Sequence, residues 1–470
     1  MNSGKDSESP LAQPNSSARN AYTVALTGDV IMNTPVSDCR EPDVLAALDL
    51  LGGADVAHAH IEIPLHDYTR PEAYPAAEGA LSWMRGPTWV ADELRWLGVD
   101  LVSAASNHAL DYSYGGLFST IDALDSAGIA HAGTGSDLAA ARAPAFVDTA
   151  AGRVALVSAT SSFPAFARAG AARWDARGRP GVNPLRSVHV VDTARAEQLM
   201  AMAGSLGLWV VRDDDEFVIH PPGLHNSVSR FRIDPSVGEP TTTCDEDDLA
   251  GNVDSIRYAR ETSDLVIAHL HVQAWDGLDG RMSSSPGFAR EFAHIAVGAG
   301  ADVVLLQGSH APMRGIETYD GVPVLHDPGP LFRLGRREAQ PHDFYTRWGN
   351  RSGVGSFDAT LLDAYDARDR GFGEAASGIS VRSPREGTSH EPGFVLPVCT
   401  VDSSGCRDRV RRVDLYPMGW STARRSTTGY PVRLAGARAR AVLTRIAALS
   451  EPLGTEVSVS DDADVGWVTL

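Results

Sequence analysis

No run of about 18 consecutive apolar residues occurs in this chain of 470 residues, so no membrane-spanning helix is expected. Residues 1–20 are small and polar with a single leucine and lack the apolar centre of an export signal, so they read as a disordered leader on a cytoplasmic protein without a membrane anchor. Cysteine is scarce and scattered. Cys39, Cys244, Cys399 and Cys406 include one C-x6-C pair, a spacing that fits no zinc knuckle, and free or buried thiols are expected. Basic residues are outnumbered, 41 against 60 acidic, for a net charge of −19. Such a surface repels phosphate backbones and anionic headgroups, which excludes nucleic acid as an expected partner. With 43% hydrophobic and 21% charged residues, the composition is that of a folded chain rather than a disordered one.

What is present is a rhythm of apolar strands, each stopping at polar, ligand-capable residues. It runs through residues 22–30, 54–64, 99–112, 152–160, 263–275 and 301–312. Helix-like segments at 87–98, 115–128 and 285–300 lie between several of them, with Gly98, Gly128 and Gly298 or Gly300 placed as C-terminal stops. Continuous rather than alternating apolar strands imply an α/β domain with the sheet covered on its faces. Length alone would allow about three domains. The pattern instead predicts one catalytic core over 21–335, interrupted by an insertion at about 163–260 that carries the acidic runs 213–216 and 244–248, and a C-terminal extension, 336–470, that completes the core. Residues 410–420 read as a last strand pair and 435–450 as an amphipathic helix.

The strand ends supply, in order, Asp29, His60 and Glu62, Asn107 and His108 with Asp111, His269 and His271, and Ser309 and His310. One strand-end Asp or His is ordinarily a cap or a satisfied core group. Five loops converging on carboxylate, carboxamide and imidazole groups are a different matter, because in such sheets the loops at one edge form a single crevice. Mixed oxygen and nitrogen donors suit a divalent ion such as Mn²⁺, Fe²⁺, Zn²⁺ or Mg²⁺, and the lack of cysteine ligands argues against a structural zinc site.

The series Gly28-Asp29, ADVAHAHIEIPL at 54–65, SNHALDYSYGG at 106–116, AHLH at 268–271 and GADVVLLQGSHAP at 300–312 resembles the CapA (poly-γ-glutamate capsule synthesis) family. That resemblance implies a metallophosphatase-like α/β sandwich with one or two divalent ions at the strand ends, manganese first, with magnesium, calcium, iron or zinc as alternatives. It places Asp29, Glu62, Asn107, His271 and His310 in the metal site and makes His108 the catalytic imidazole. Three departures stand out. His60 occupies the usual Asn position, Val272-Gln273 replaces Trp-Gly, and Pro312 replaces the second histidine of the last motif. His269, one strand period from His271, is a candidate substitute ligand.

In its ligand order and reduced last motif the chain is similar to the branch of the family that epimerises the C-terminal residue of lasso-peptide precursors. This implies a peptide substrate and a two-base proton transfer at Cα, with Asp29 and His310 as the facing acid/base pair. Metal-dependent phosphoester or amide hydrolysis is the alternative, and an accessory role in capsule polymer synthesis a third. Phe163, Phe166, Trp174, Arg333, Arg336, Arg337, Tyr345 and Trp348 would suit an apolar peptide tail with a free carboxylate, but packing of a lid or surface solvation is the more ordinary role for such groups, and Arg336-Arg337 reads as exposed. Oligomeric state is not legible.

Overall fold

The computed structural model describes residues 21–470 except 79–81, 224–227, 275–283, 310–312, 334–337, 369–392, 406 and 425. The expected leader, His310, Pro312, Arg336 and Arg337 therefore lie outside the described residues. Among the described residues no helix is long and apolar enough to cross a membrane, and Cys39, Cys244 and Cys399 are buried free thiols.

Two sheets stack face to face. In the larger, the parallel strands Ala21–Ile31, Val56–Ile61, Leu101–Ser103 and Ala130–Ala132 lie side by side. The antiparallel strands Phe394–Asp402 and Arg409–Trp420 extend it beyond Ala21–Ile31. The smaller sheet is built on the parallel strands Arg153–Thr160, Leu265–His271, Val303–Gln307 and Val322–His326. Helices Pro42–Gly52 and Val90–Trp96 pack on the outer face of the first sheet, and Glu246–Thr262 and Gly287–Ala299 on that of the second. This is the α/β sandwich that the strand rhythm implies.

Helix ends follow the local chemistry. Gly98 and Gly128 adopt positive φ just past Val90–Trp96 and Ser113–Ser126, and Gly300 is the left-handed cap of Gly287–Ala299. Residues 409–420 form one strand rather than a pair, because Pro417 and Gly419 keep extended pairing with Val395 and Val432 instead of turning the chain. Within the stretch read as an insertion, strands from Ser187–Val191 to Thr241–Cys244 make a separate five-stranded sheet. Part of its acidic charge is paired. Glu216 meets Arg230 at 3.1 Å and Arg232 at 2.8 Å, while Arg186 meets Asp245 at 2.9 Å and Asp248 at 2.6 Å.

The space between the sheets changes character along each strand. Side chains two apart share a face, so Val56 is followed on that face by His58 and His60, Ile267 by His269 and His271, Leu156 by Ser158 and Thr160, Leu305 by Gln307, and Leu101 by Ser103. The N-terminal half of each strand builds a dry core and the C-terminal end a buried polar chamber. Each such replacement forgoes roughly the 1.5–3 kcal/mol that burying a large apolar side chain contributes, which marks the polar end as functional rather than structural.

Candidate metal centre

Strict alternation would put Gly28, not Asp29, on the inner face beside Leu26. A bulge between Leu26 and Asp29 shifts the register, so that Leu26 pairs with His58 but Asp29 pairs with His60. Gly28 at the bulge sits so close to the Gly329 carbonyl that an added Cβ would lie 2.3 Å from its oxygen. The Asp29 carboxylate then approaches His60 Nε2 and His271 Nδ1, at 3.9 Å from each. These three residues, 2%, 0% and 0% exposed, offer ligand atoms that all lie within 4.8 Å of one another. One carboxylate and two imidazoles are the oxygen and nitrogen donors a divalent transition ion prefers, and their burial away from solvent gives a cation strong reason to enter. The donor set fits a metal. Gly308, at φ +112°, lets the next loop pass the His271 ring, where a Cβ would come within 2.5 Å of the imidazole.

Asn107 and Glu62 border this group. His271 Nε2 lies 3.0 Å from Asn107 Oδ1, Asn107 Nδ2 donates to Gln273 Oε1 at 3.0 Å, and Gln273 Nε2 donates to Glu62 Oε1 at 3.2 Å. Gln273, a departure from the family pattern, therefore ties together two expected ligands. His269 stands one layer deeper: its Nδ1 is 3.1 Å from Ser158 Oγ and its Nε2 3.1 Å from Gln307 Nε2, and it is not among the three residues whose ligand atoms lie within 4.8 Å of one another. His60, by contrast, joins the group although the motif comparison gave it no ligand role. The signal was its two-residue spacing from Glu62 on a strand paired with Asp29.

His108 Nδ1 is 2.6 Å from Asp111 Oδ2, and both residues are buried. Burial raises the Asp111 carboxyl above its ordinary value, against the pull of His108 and the Met84 N–H that donates to it. Burial likewise pushes His58 down to about 3 and His269 well below the ordinary imidazole value. A polar cleft of about 680 Å³ opens near this pair, lined by Trp83, Pro164, Arg347 and Arg351 with Glu78 and Asp343. Its Trp83 indole donates to the Ala76 carbonyl, and the Ala76 N–H donates to the Asp111 carbonyl. Of the aromatics expected at a substrate surface, Trp348 is buried against Trp83 and Phe344, and Trp174 is 92% exposed.

Two further imidazoles set the response to acid. His66 is 1% exposed and pushed down to about 4, chiefly by burial and then by Arg85, and burial also lowers His326 despite Glu317. Below the unfolded value of about 6.5, the unfolded chain takes up protons that the folded chain refuses. Stability present above that pH is lost as pH falls toward 4 for His66, by up to roughly 1.4 kcal/mol per pH unit, and in the same direction for His326. Urea midpoints measured at pH 7.5 and pH 5 should therefore fall on acidification, and less steeply in His66→Asn; an equal slope in both proteins would disprove this assignment.

The bacterial capsule synthesis protein PGA_cap family matches residues 23–331. Over 453 residues the chain is 29% identical to the uncharacterized proteins y4sH and y4uA of Sinorhizobium fredii, covering 96% of this chain and 93% of each relative. It is 30% identical over 227 residues to the probable polyglutamine synthesis accessory protein MT0602 of Mycobacterium tuberculosis, covering 48% of this chain and 43% of that protein. The matched span contains every residue of the Asp29, His60 and His271 group together with the His108–Asp111 pair, and the chain belongs to the bacterial capsule synthesis protein PGA_cap family.

Proposed function

We propose that this protein is a metal-dependent peptide epimerase, inverting Cα of a C-terminal residue in a ribosomally made precursor peptide. The observation that carries the reading is the pairing of one compact three-ligand group, the only such group among the described residues, with a buried His–Asp pair. Two-ion hydrolysis needs ligands that bracket both attacking and leaving oxygens. A single ion suits a reaction in which a carbonyl is polarised and a proton moves next to it. Asp29, His60 and His271 would hold the ion, with Asn107 and Glu62 at its border; manganese is the favoured metal. Bound there, a divalent ion supplies positive charge beside a substrate carbonyl and makes the neighbouring Cα–H more acidic.

The chain's own groups do the rest. Asp111 engages His108 Nδ1, which fixes the tautomer and leaves Nε2 to exchange a proton with the substrate. His310, the other acid/base candidate of the sequence, is the second proton carrier in this reading. Asp29 lies between two imidazoles and acts here as ligand rather than base. The cleft with Arg347 and Arg351 offers cations to a terminal carboxylate. The name of the mycobacterial relatives refers to polyglutamine, an amide-linked chain, and is compatible with a peptide substrate.

The test is incubation of the manganese-loaded protein with synthetic peptides bearing free C-termini in heavy water. One deuteron gained at a single Cα, with loss of optical purity there, supports epimerisation. Peptide or phosphoester cleavage without exchange would replace it by hydrolysis.

A further inference from the structure

Each histidine of the candidate centre has a second histidine two residues before it on the same strand, and each pair is bridged by one polar side chain from the neighbouring parallel strand. Ser103 Oγ lies 3.0 Å from His58 Nε2 and 2.9 Å from His60 Nδ1. Gln307 Nε2 lies 3.1 Å from His269 Nε2 and 3.1 Å from His271 Nδ1. Register produces both bridges, since Ser103 pairs with His60 and Gln307 with His271. The rings interleave across the chamber, His60 standing 4.9 Å from His269 and 4.8 Å from His271 between centroids.

A neutral imidazole binds a cation only through the nitrogen that carries no proton, so the partner of its other nitrogen decides whether it can bind at all. We propose that Ser103 and His58 form a tautomer lock on His60, and that this lock sets the affinity of the centre; the inference rests on the metal reading above. In the open arrangement His60 Nδ1–H donates to Ser103 Oγ, Ser103 Oγ–H donates to His58 Nε2, and the His60 Nε2 lone pair faces Asp29. In the closed arrangement His58 Nε2–H donates to Oγ, Oγ–H donates to His60 Nδ1, and the proton of His60 sits on Nε2, pointing at Asp29 and shutting out a cation. Both arrangements hold three protons on the same three residues, so they differ in tautomer and not in charge. A hydroxyl has one proton to give. His58 must take it for Ser103 to accept from His60, which is why a residue that touches no substrate controls the ligand. Ser103 and His58 are positioning residues.

The experiment uses the full chain, stripped with a chelator and titrated with Mn²⁺ and Co²⁺ in competition with a fluorescent chelator. Ser103→Ala is expected to weaken binding by about 10- to 100-fold, the usual effect of losing an outer-shell partner, with the thermal midpoint of the metal-free protein little changed. Ser103→Thr keeps the hydroxyl and recovers most of the affinity. His58→Leu leaves the Ser103 hydroxyl no acceptor but His60 Nδ1, favours the closed tautomer, and should weaken binding in the same direction. Long-range proton–nitrogen spectra of the histidine rings should show the His60 proton moving from Nε2 to Nδ1 as metal is added. Folded Ser103→Ala and His58→Leu proteins that bind within threefold of the parent, or a His60 tautomer unchanged by metal, would overturn the lock while leaving the centre standing. A parent chain that takes up neither ion would overturn both.

Discussion

Replacing Asp29 with asparagine is expected to lower affinity for a divalent ion by about a thousandfold, roughly 4 kcal/mol at 1.4 kcal/mol per decade, and to abolish metal-supported activity. The substitution keeps the size of the side chain and removes its charge. That charge is 2% exposed and faces two imidazoles at 3.9 Å, so no water-exposed group can substitute for it. The same change should leave the metal-free protein folded, since a carboxylate in a buried chamber costs desolvation energy. Metal content by elemental analysis should thus fall while a thermal midpoint without metal is retained. A variant that retains stoichiometric metal would remove Asp29 from the centre.

His108→Gln should reduce proton exchange at the substrate Cα by about 10²- to 10⁴-fold, the range for loss of a positioned acid/base group, while metal content stays at the parent level. His108 bonds Asp111 at 2.6 Å and does not belong to the Asp29, His60 and His271 group. Asp111→Asn tests the orienting half of the pair. It should lower the rate less than His108→Gln and shift its pH profile, although it also weakens the 2.6 Å bond from the Met84 N–H. Loss of metal in His108→Gln would make His108 a ligand and send the search for a proton carrier elsewhere.

Part of this candidate site is legible in the sequence. Apolar strands stopping at Asp29, Glu62, Asn107 and His271 announce a sheet edge lined with ligand-capable groups, because periodicity and composition are local properties. What stayed hidden is set by register. The bulge that turns Asp29 inward toward His60 depends on how two strands pair, and no spacing within either strand reports it. His269 and His271 look equivalent along their strand. Only the spatial neighbours, Ser158 at one ring and Asp29 at the other, separate the deeper imidazole from the one in the group. The arginines that pair Glu216, Asp245 and Asp248 were not legible either, because they lie elsewhere in the sequence.

The strand that carries Asp29 is pinned on one side by Val56–Ile61 and on the other by Phe394–Asp402, with Ala21 opposite Asp402 and Ala25 opposite Val398. One neighbour leaves the ribosome soon after the strand does, and the other only after most of the chain has been made. Contacts so far apart in sequence form slowly. Until they form, the edge of Ala21–Ile31 is open to unwanted pairing with other strands. Pairing along Ala21–Ala25 is therefore completed late in biosynthesis, whereas the end of the strand that carries Asp29 is framed by Phe332 opposite Val30 and by the Leu331 N–H that donates to the Asp29 carbonyl.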